Sequence, residues 1–313
     1  MGEDQSVRWK ACHAEWLGYV LEFVQLLERG KNLPLGPSAE PLVAPAAAAA
    51  EKPRRVTVCS PHPDDEALVG ALPLRLRLEC GAKVTNCAIT FGSNLSQRAR
   101  RLRELESACR VLGFELAIPR APLGFDNVGL ATRSERPEEW AEKVQLLSRC
   151  FDELQPEVVF APHAEDWNKA HIGTHHLAVD ALGDYLARSG RGPVTFIETE
   201  FWHENSQPNL MIGLSPEMEA ILVMATAEHG GEVSRNPYHL RHPGRMIENV
   251  RLGAETVGGQ GGAAPEFPFA ELYRVTFMKG KEQIAPRPGG RIVGPTERID
   301  LDDLVQHFRP EGL

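Results

Sequence analysis

The chain has 313 residues, 34 basic against 43 acidic side chains, a formal net charge of −9, and 42% apolar and 25% charged residues. That apolar fraction builds a buried core and excludes a wholly disordered chain, and the length allows about two domains or one large α/β domain with extensions. The acidic balance excludes nonspecific binding of nucleic acid or anionic membranes as the main task.

No stretch reads as a membrane span. Leu17 to Leu27 is interrupted by Glu22 and Gln25, and Pro41 and Pro45 break the alanine-rich run, so neither is the stretch of about 20 apolar residues that crosses a bilayer. The opening Met1-Gly2-Glu3-Asp4-Gln5 lacks the basic region of a secretory signal. Six cysteines are scattered without a Cys-x-x-Cys pair. The expectation is a reduced, cytoplasmic protein without a structural cysteine-type zinc site.

In chain order, Trp9, Trp16, Val20, Phe23 and Leu27 form one apolar stripe of a helix over residues 6–30, ending at Gly30. Such a stripe is expected to dock on the main domain or to meet a second copy of the chain. Residues 33–54, rich in proline and alanine, read as a surface linker. From Arg55 strands and helices alternate. Val56–Cys59 is a strand, and a helix runs from about Asp65 to Cys80, bent or shortened by Pro73. Strand 84–91, helix 96–113 and strand 114–118 follow, then helix 137–154, strand 158–160, helix 172–188, strand 194–200 and helix 216–229. This alternation predicts an α/β fold, a mostly parallel sheet with helices on both faces.

Ligands of such sheets gather at the carboxyl ends of the strands. Two polar loops fall there, Ser60-Pro61-His62-Pro63-Asp64-Asp65-Glu66 and the segment from Ala161 to His171. Imidazole and carboxylate are the ligands of catalytic zinc, so His62 and one aspartate can converge on a cation while the other takes a proton. The alternative reading is helix capping, since acids near an N-terminus favour the helix dipole; it leaves the adjoining His-Pro without a reason. The third ligand is expected from the second loop, where His163, His171, His175 and His176 fall within fourteen residues.

Three further segments stand out. Gly258 to Gly262 lacks the Lys-Ser/Thr of a phosphate loop and reads as a flexible connection. Tyr238 to Arg245 is a basic cluster, read as a solvated helix start or as a contact for an anionic substrate group. The tail after Lys279 reads as loosely structured.

The ordered set of motifs resembles the LmbE-like, or PIG-L type, zinc-dependent N-deacetylases over about residues 55–277. His62-Pro63-Asp64-Asp65-Glu66 is similar to their first signature and residues 166–182 to their second; Arg101, Glu104, Ala108 and Leu112-Gly113 reproduce a helix motif between them. Leu123 to Leu130 resembles a sugar-approaching loop, and Ala270-Glu271 a closing strand.

The resemblance implies a Rossmann-like, LmbE-like domain at 55–277, flanked by a helical and linker region at 1–54 and an extension at 278–313. It implies Zn2+, or another divalent ion, on His62, Asp65 and His171, Asp64 as general base, and Arg101 and Asp126 as sugar contacts. The implied substrate is a small N-acetylated sugar of the N-acetylglucosamine type; nucleic-acid partners are not expected. Asn168 stands where the family has an oxyanion histidine. An amide donates a hydrogen bond but carries no charge, so Asn168 itself, or His163 or His175, is expected to fill that role. Cleavage of a larger acyl group, or binding of metal and sugar with impaired catalysis, are the competing expectations.

Overall fold

The computed structural model describes residues 2–313, with side chains from residue 5 onward. The chain divides into two compact units, one ending at Leu35 and the other running from Gly36 to Leu313. The first is built on α1 (Gly2–Gly30). Within it Trp9 stacks on His13 and Tyr19 meets Phe23 edge-on, with ring centroids 4.8 and 5.2 Å apart.

The second unit contains, in chain order, β1 (Arg55–Ser60), α2 (Asp65–Leu68), α3 (Ala71–Cys80), β2 (Lys83–Ala88), α4 (Arg98–Leu112), β3 (Glu115–Ala117), α5 (Leu130–Glu135) and α6 (Pro137–Leu154). Then come β4 (Val158–Pro162), α7 (Lys169–Ser189), β5 (Val194–Thr199), β6 (Leu210–Leu214), α8 (Pro216–Ala227), α9 (Gly230–Val233), α10 (His242–Thr256), β7 (Phe269–Lys279), β8 (Glu282–Ile284), β9 (Arg291–Val293) and α11 (Leu301–Phe308).

The sheet order is β3-β2-β1-β4-β5-β7-β6-β9, with β8 paired to β7. Strands β3, β2, β1, β4 and β5 are mutually parallel, whereas β7 runs antiparallel to β5, β6 and β8. The order reverses direction between β1 and β4, so the loops leaving those two strands open a crevice at the switch point. Period-two alternation builds both layers. Val158 and Phe160 of β4 face a core shared with α3, α4 and α8, while Val159 and Ala161 face α6 and α7. A third, smaller core packs α10 on β6 and β7 through Met211, Val250 and Leu272.

The expected helix over 65–80 is instead two helices, and the break falls before Pro73 rather than at it. Proline has no N–H and its ring crowds the carbonyl four residues earlier, that of Val69. The Val69 carbonyl accepts the Tyr273 hydroxyl at 3.1 Å, and the Leu72 N–H donates to the same hydroxyl at 2.9 Å. Glu271, paired with the same hydroxyl at 2.5 Å, accepts the Ala71 N–H at 2.9 Å, so two side chains of β7 together serve the backbone groups freed by the interruption.

Residues 36–54 form no regular element, as the composition predicts, but they are pinned to the domain. Gly36 N donates to Ala227 O, Ala48 N donates to Leu78 O, and Ser38 donates to the Glu228 carboxylate. The tail differs from its expectation: β8 and β9 join the sheet, and Asp300 caps α11 by accepting from Asp302 and Asp303 N–H groups. Proline and glycine between 285 and 290 hide these three short elements, which are held by partners distant in sequence. Strand β6, with one β-branched residue in five, likewise goes unread because its stability comes from β7 and β9. All six cysteines are free thiols, and among the described residues no helix is long and apolar enough to cross a membrane.

Replacing Tyr273 by Phe removes the hydroxyl while keeping the ring, leaving the Leu72 N–H and Val69 carbonyl without that partner. We expect a loss of about 1–3 kcal/mol in urea unfolding, the ordinary cost of buried polar groups left unpaired; an unchanged midpoint would show that the break needs no such brace.

Candidate metal and catalytic centre

The loop after β1 is fixed by its backbone. The Pro61 carbonyl accepts both the N–H and the hydroxyl of Thr90, and the Ser60 hydroxyl donates to Asn86. The His62 N–H donates to Asp65 Oδ2 at 2.8 Å, closing the turn so that both side chains face the switch point. The loop after β4 is set by two local turns. Asp166 Oδ1 accepts the Asn168 N–H at 2.7 Å, and Asn168 Oδ1 accepts the Ala170 N–H at 2.9 Å as the N-cap of α7. Helix α7 then carries His171 inward from its first turn. Gly173 lets the helix approach closely, since a Cβ there would lie 2.6 Å from backbone atoms of Val128 and Gly129.

These two loops bring His62, Asp65 and His171 together, with one ligand atom from each lying within 4.8 Å of the others. Asp65 Oδ2 is 3.4 Å from both His62 Nδ1 and His171 Nε2. Both His171 nitrogens and Asp166 Oδ2 are buried without a hydrogen-bond partner among the described residues. A cation on Nε2 would satisfy the first nitrogen, leaving Nδ1–H facing Asp166 Oδ2 at 3.4 Å. Two imidazoles, one carboxylate and an outer carboxylate behind the buried histidine fit a divalent transition-metal ion with an open position.

The charges agree. Burial opposes a charged His171, but Asp65 and Asp166 outweigh it and raise its pKa to about 9. Burial likewise opposes an ionised Asp65, yet the flanking histidines hold its carboxyl well below the usual range. A cation arriving here would displace the His171 proton and take over its electrostatic role.

Asp64 stands beside the triad and points elsewhere. It occupies the N-cap position of α2, but its side chain makes no capping bond, so capping does not explain the carboxylate. Its φ of 118° is a left-handed conformation costly for a residue other than glycine. The backbone is held there by Asp64 N–H donating to Glu66 Oε2 at 3.0 Å, and Glu66 Oε1 pairs with His229 Nε2 at 2.7 Å, both side chains fully buried. The carboxylate accepts the Tyr238 hydroxyl at 2.5 Å and lies 3.9 Å from Arg101. Burial, then the neighbouring Asp65, raises Asp64 to about 6, a value suited to moving a proton near neutrality. Burial and Asp64 push the Tyr238 hydroxyl far above its ordinary range, so it stays a donor.

A cavity of about 550 Å³ opens on this group, lined by His62, Asp64, Asp65, Arg101, Asn168 and Tyr238 among others. Asn168 uses its carbonyl oxygen as the helix cap, which leaves its amide NH2 for the cavity. Arg101 also donates to the Pro63 and Phe91 carbonyls, clamping the first loop.

Other expected residues lie apart. Asp126 is absent from that lining and is paired with Arg98 at 2.5 Å and Arg120 at 3.4 Å. His163 and His175 line a different cavity of about 350 Å³, with Glu198 and Arg274. His163 accepts the Glu165 N–H on Nδ1 and donates from Nε2 to the His203 carbonyl, so both nitrogens are engaged. His175 donates to the Pro162 carbonyl, and burial lowers its pKa to about 4. Neither lines the cavity that opens on His62 and Asp65, whereas Asn168 does.

Tyr238, Asp166, Glu66 and His229 gain roles that the sequence did not announce. Glu66 and Asp166 lay within the two motifs and Tyr238 within the basic cluster; only His229 had no local signal at all. The basic cluster containing Tyr238 is not a solvated helix start: His239 and His242 are buried, and His242 is paired with Glu219 at 2.7 Å.

Residues 57–182 match the family model described as PIG-L, GlcNAc-PI de-N-acetylase. That matched segment contains His62, Asp64, Asp65, Arg101, Asn168 and His171.

Solved structures share the fold. The conserved protein TT1542 from Thermus thermophilus is 20% identical, with a TM-score of 0.52, covering 70% of this chain and 93% of its own. The N,N'-diacetylchitobiose deacetylase from Pyrococcus horikoshii is 18% identical, with a TM-score of 0.50 and coverages of 72% and 84%. GalB, the 4-carboxy-2-hydroxymuconate hydratase from Pseudomonas putida, is 17% identical, with a TM-score of 0.51 and coverages of 77% and 99%. Among curated proteins none matches the chain in sequence. A deacetylase and a hydratase on one fold mean that the fold does not choose the reaction.

If Asp166 orients His171 toward a cation, Asp166→Asn should weaken divalent-metal affinity by about 10–100-fold. Competition against a chromophoric chelator measures this; unchanged affinity would make Asp166 a loop-turn residue only.

Proposed function

We propose that the protein is a metal-dependent hydrolase that removes an acetyl group from an N-acetylated amino sugar or sugar conjugate. The observation that carries this reading is the convergence of His62, Asp65 and His171, the first two lining an open polar cavity and His171 buried, with Asp64 in the same lining and outside the triad. The family's description as a de-N-acetylase supports the choice of an amide as the bond attacked.

A divalent ion, with zinc the best match to this donor set, would supply Lewis acidity toward a carbonyl oxygen and lower the pKa of water. The chain's own residues do the rest. Asp64 accepts a proton from the attacking water as its oxygen bonds to the acyl carbon. The same proton passes from Asp64 to the departing nitrogen as the C–N bond breaks, giving a free amine and acetic acid, which then loses its proton to give acetate. Tyr238 orients the Asp64 carboxylate throughout, and the strained Asp64 backbone fixes its direction. The Asn168 amide donates to the acyl oxygen as negative charge develops there. Arg101 contacts the polar part of the substrate, and Asp126 acts one step back, by holding Arg98 and Arg120.

Asp64→Asn should retain one equivalent of zinc while acetate release falls by at least about 10³-fold, in the range found when a group acting as general base is removed. Asn168→Ala should lower kcat about 10²-fold with KM little changed, the usual effect of losing one oxyanion donor. Both are read by acetate release from N-acetylglucosamine conjugates. Chelation should abolish that release and zinc should restore it. Near-normal turnover by Asp64→Asn would reject the base assignment, and bound zinc without acetate release from any conjugate would favour a binding protein or another reaction on this fold.

A further inference from the structure

Three of the six thiols meet in one packing layer. Cys59 of β1 and Cys87 of β2 are register partners on adjacent parallel strands, and both belong to the core between the sheet and α6 and α7. Both are buried. Cys150 of α6 packs on the same cluster and keeps part of its surface in contact with solvent. The Cys87 thiol is within hydrogen-bond reach of both other sulfurs. The remaining thiols lie elsewhere: Cys12 is exposed on α1, Cys109 sits in the core on the other side of the sheet, and Cys80 donates to the Ile299 carbonyl at 3.2 Å.

Exposure alone does not set Cys150 apart, because Cys80 is half-buried too. Their surroundings differ. The hydrogen bond with Cys87 holds the Cys150 thiol below its ordinary range, whereas burial pushes Cys80 up. The contact with Cys150, then the one with Cys59, raises Cys87, which therefore keeps its proton. A thiol that reaches solvent and ionises readily, with a second sulfur behind it, is the arrangement that captures an oxidised sulfur as a disulfide.

The place of this pair in the fold gives the bond a consequence. Just beyond Cys87, the Ile89 N–H donates to the Ser60 carbonyl at 2.9 Å and the Thr90 N–H to the Pro61 carbonyl at 3.1 Å. Those two bonds hold the loop that presents His62 and Asp65. Cys150 belongs to a helix in the next layer, so a covalent bond to it pulls on the end of β2 from which that loop is held.

We infer that Cys150 and Cys87 form a reversible disulfide on exposure to a hydroperoxide, and that this bond weakens metal binding at His62, Asp65 and His171. With hydrogen peroxide, the Cys150 thiolate attacks one oxygen; an S–O bond forms, the O–O bond breaks, and the departing oxygen takes a proton as water. The Cys87 sulfur then attacks the Cys150 sulfur, losing its own proton; the S–S bond forms and the S–O bond breaks, releasing a second water. The two thiols give up two electrons and the peroxide accepts them. A dithiol reductant reverses the bond by exchange. The second half of the inference rests on the metal-site reading, and the first half does not.

Reduced full-length protein is treated with hydrogen peroxide, its remaining thiols are alkylated in denaturant, and tryptic peptides are read by mass spectrometry. The expected product joins peptide 84–98, which holds Cys87, to peptide 150–169, which holds Cys150, with the loss of two hydrogens. A dithiol should separate them, Cys150→Ser should abolish the product, and Cys80→Ser should leave it. Peroxide that leaves both cysteines alkylatable, or that oxidises Cys150 without joining it to Cys87, overturns the disulfide. Zinc affinity, measured by competition with a chromophoric chelator, should fall about tenfold or more on oxidation and recover with the dithiol, the scale seen when support of a ligand is disturbed. In Cys150→Ser it should match the reduced protein with or without peroxide. A joined pair with unchanged zinc affinity overturns the coupling. Failure of the reduced protein to bind zinc overturns the metal-site reading and leaves the disulfide to the mass spectra.

Discussion

Asp65 lies between two imidazoles, and the rest of the site follows from that placement. Its Oδ2 accepts the His62 N–H and stands 3.4 Å from a nitrogen of each histidine, with almost no exposure to water. Burying a carboxylate and an imidazole costs several kcal/mol unless their charges are compensated. The fold meets that cost where two strand-end loops meet at a reversal of strand order, the one point from which β1 and β4 can both contribute side chains to a crevice. A cation bound there would also stabilise the folded chain in proportion to its affinity and concentration.

Around that point the sequence spends further stability on orientation. Asp64 is held in a left-handed conformation by its N–H bond to Glu66 and by the Tyr238 hydroxyl on its carboxylate, and such strain persists only when its surroundings over-determine it. The Glu66–His229 pair is fully buried, so its members must satisfy each other. It joins the first loop to the start of α9, the short helix that bears Glu232. The arginines gathered on Glu232 then line one side of the cavity. The Asp64 carboxylate, the cavity wall and the His62–Asp65–His171 group are thus one connected polar assembly, built from residues far apart in sequence.

Much of this was legible in the sequence where the causes are local. The β1 loop is written in fewer than ten residues, an apolar strand followed by a polar turn; the α7 helix was read from residue 172, three residues late, because the cap at Asn168 was not recognised. The family resemblance supplied the candidate roles on those same residues. The ends of α4 and α6 were legible because Gly113 accepts a positive φ and Pro137 suits a first helical turn. What stayed hidden depends on distant partners. Tyr238 reaches Asp64 across 174 residues and His229 reaches Glu66 across 163, and no spacing rule connects them. His163 and His175 illustrate the opposite failure, since both lie close to His171 in sequence yet face a second cavity. Residues four apart on a helix are neighbours, but the loop and sheet decide which chamber each enters. Pro73 was read as bending or shortening its helix, and the break falls ahead of it because its ring acts on the carbonyl four residues back.

The sharing of this fold by a deacetylase and a hydratase puts the functional weight on the site. The most direct measurement is therefore zinc-edge anomalous diffraction from crystals of the metal-loaded protein. The account predicts a single strong peak within bonding distance of His62, Asp65 and His171, with the Asp64 carboxylate outside the coordination sphere. A peak elsewhere, or a metal held by Asp64 while His171 stays unligated, would contradict it.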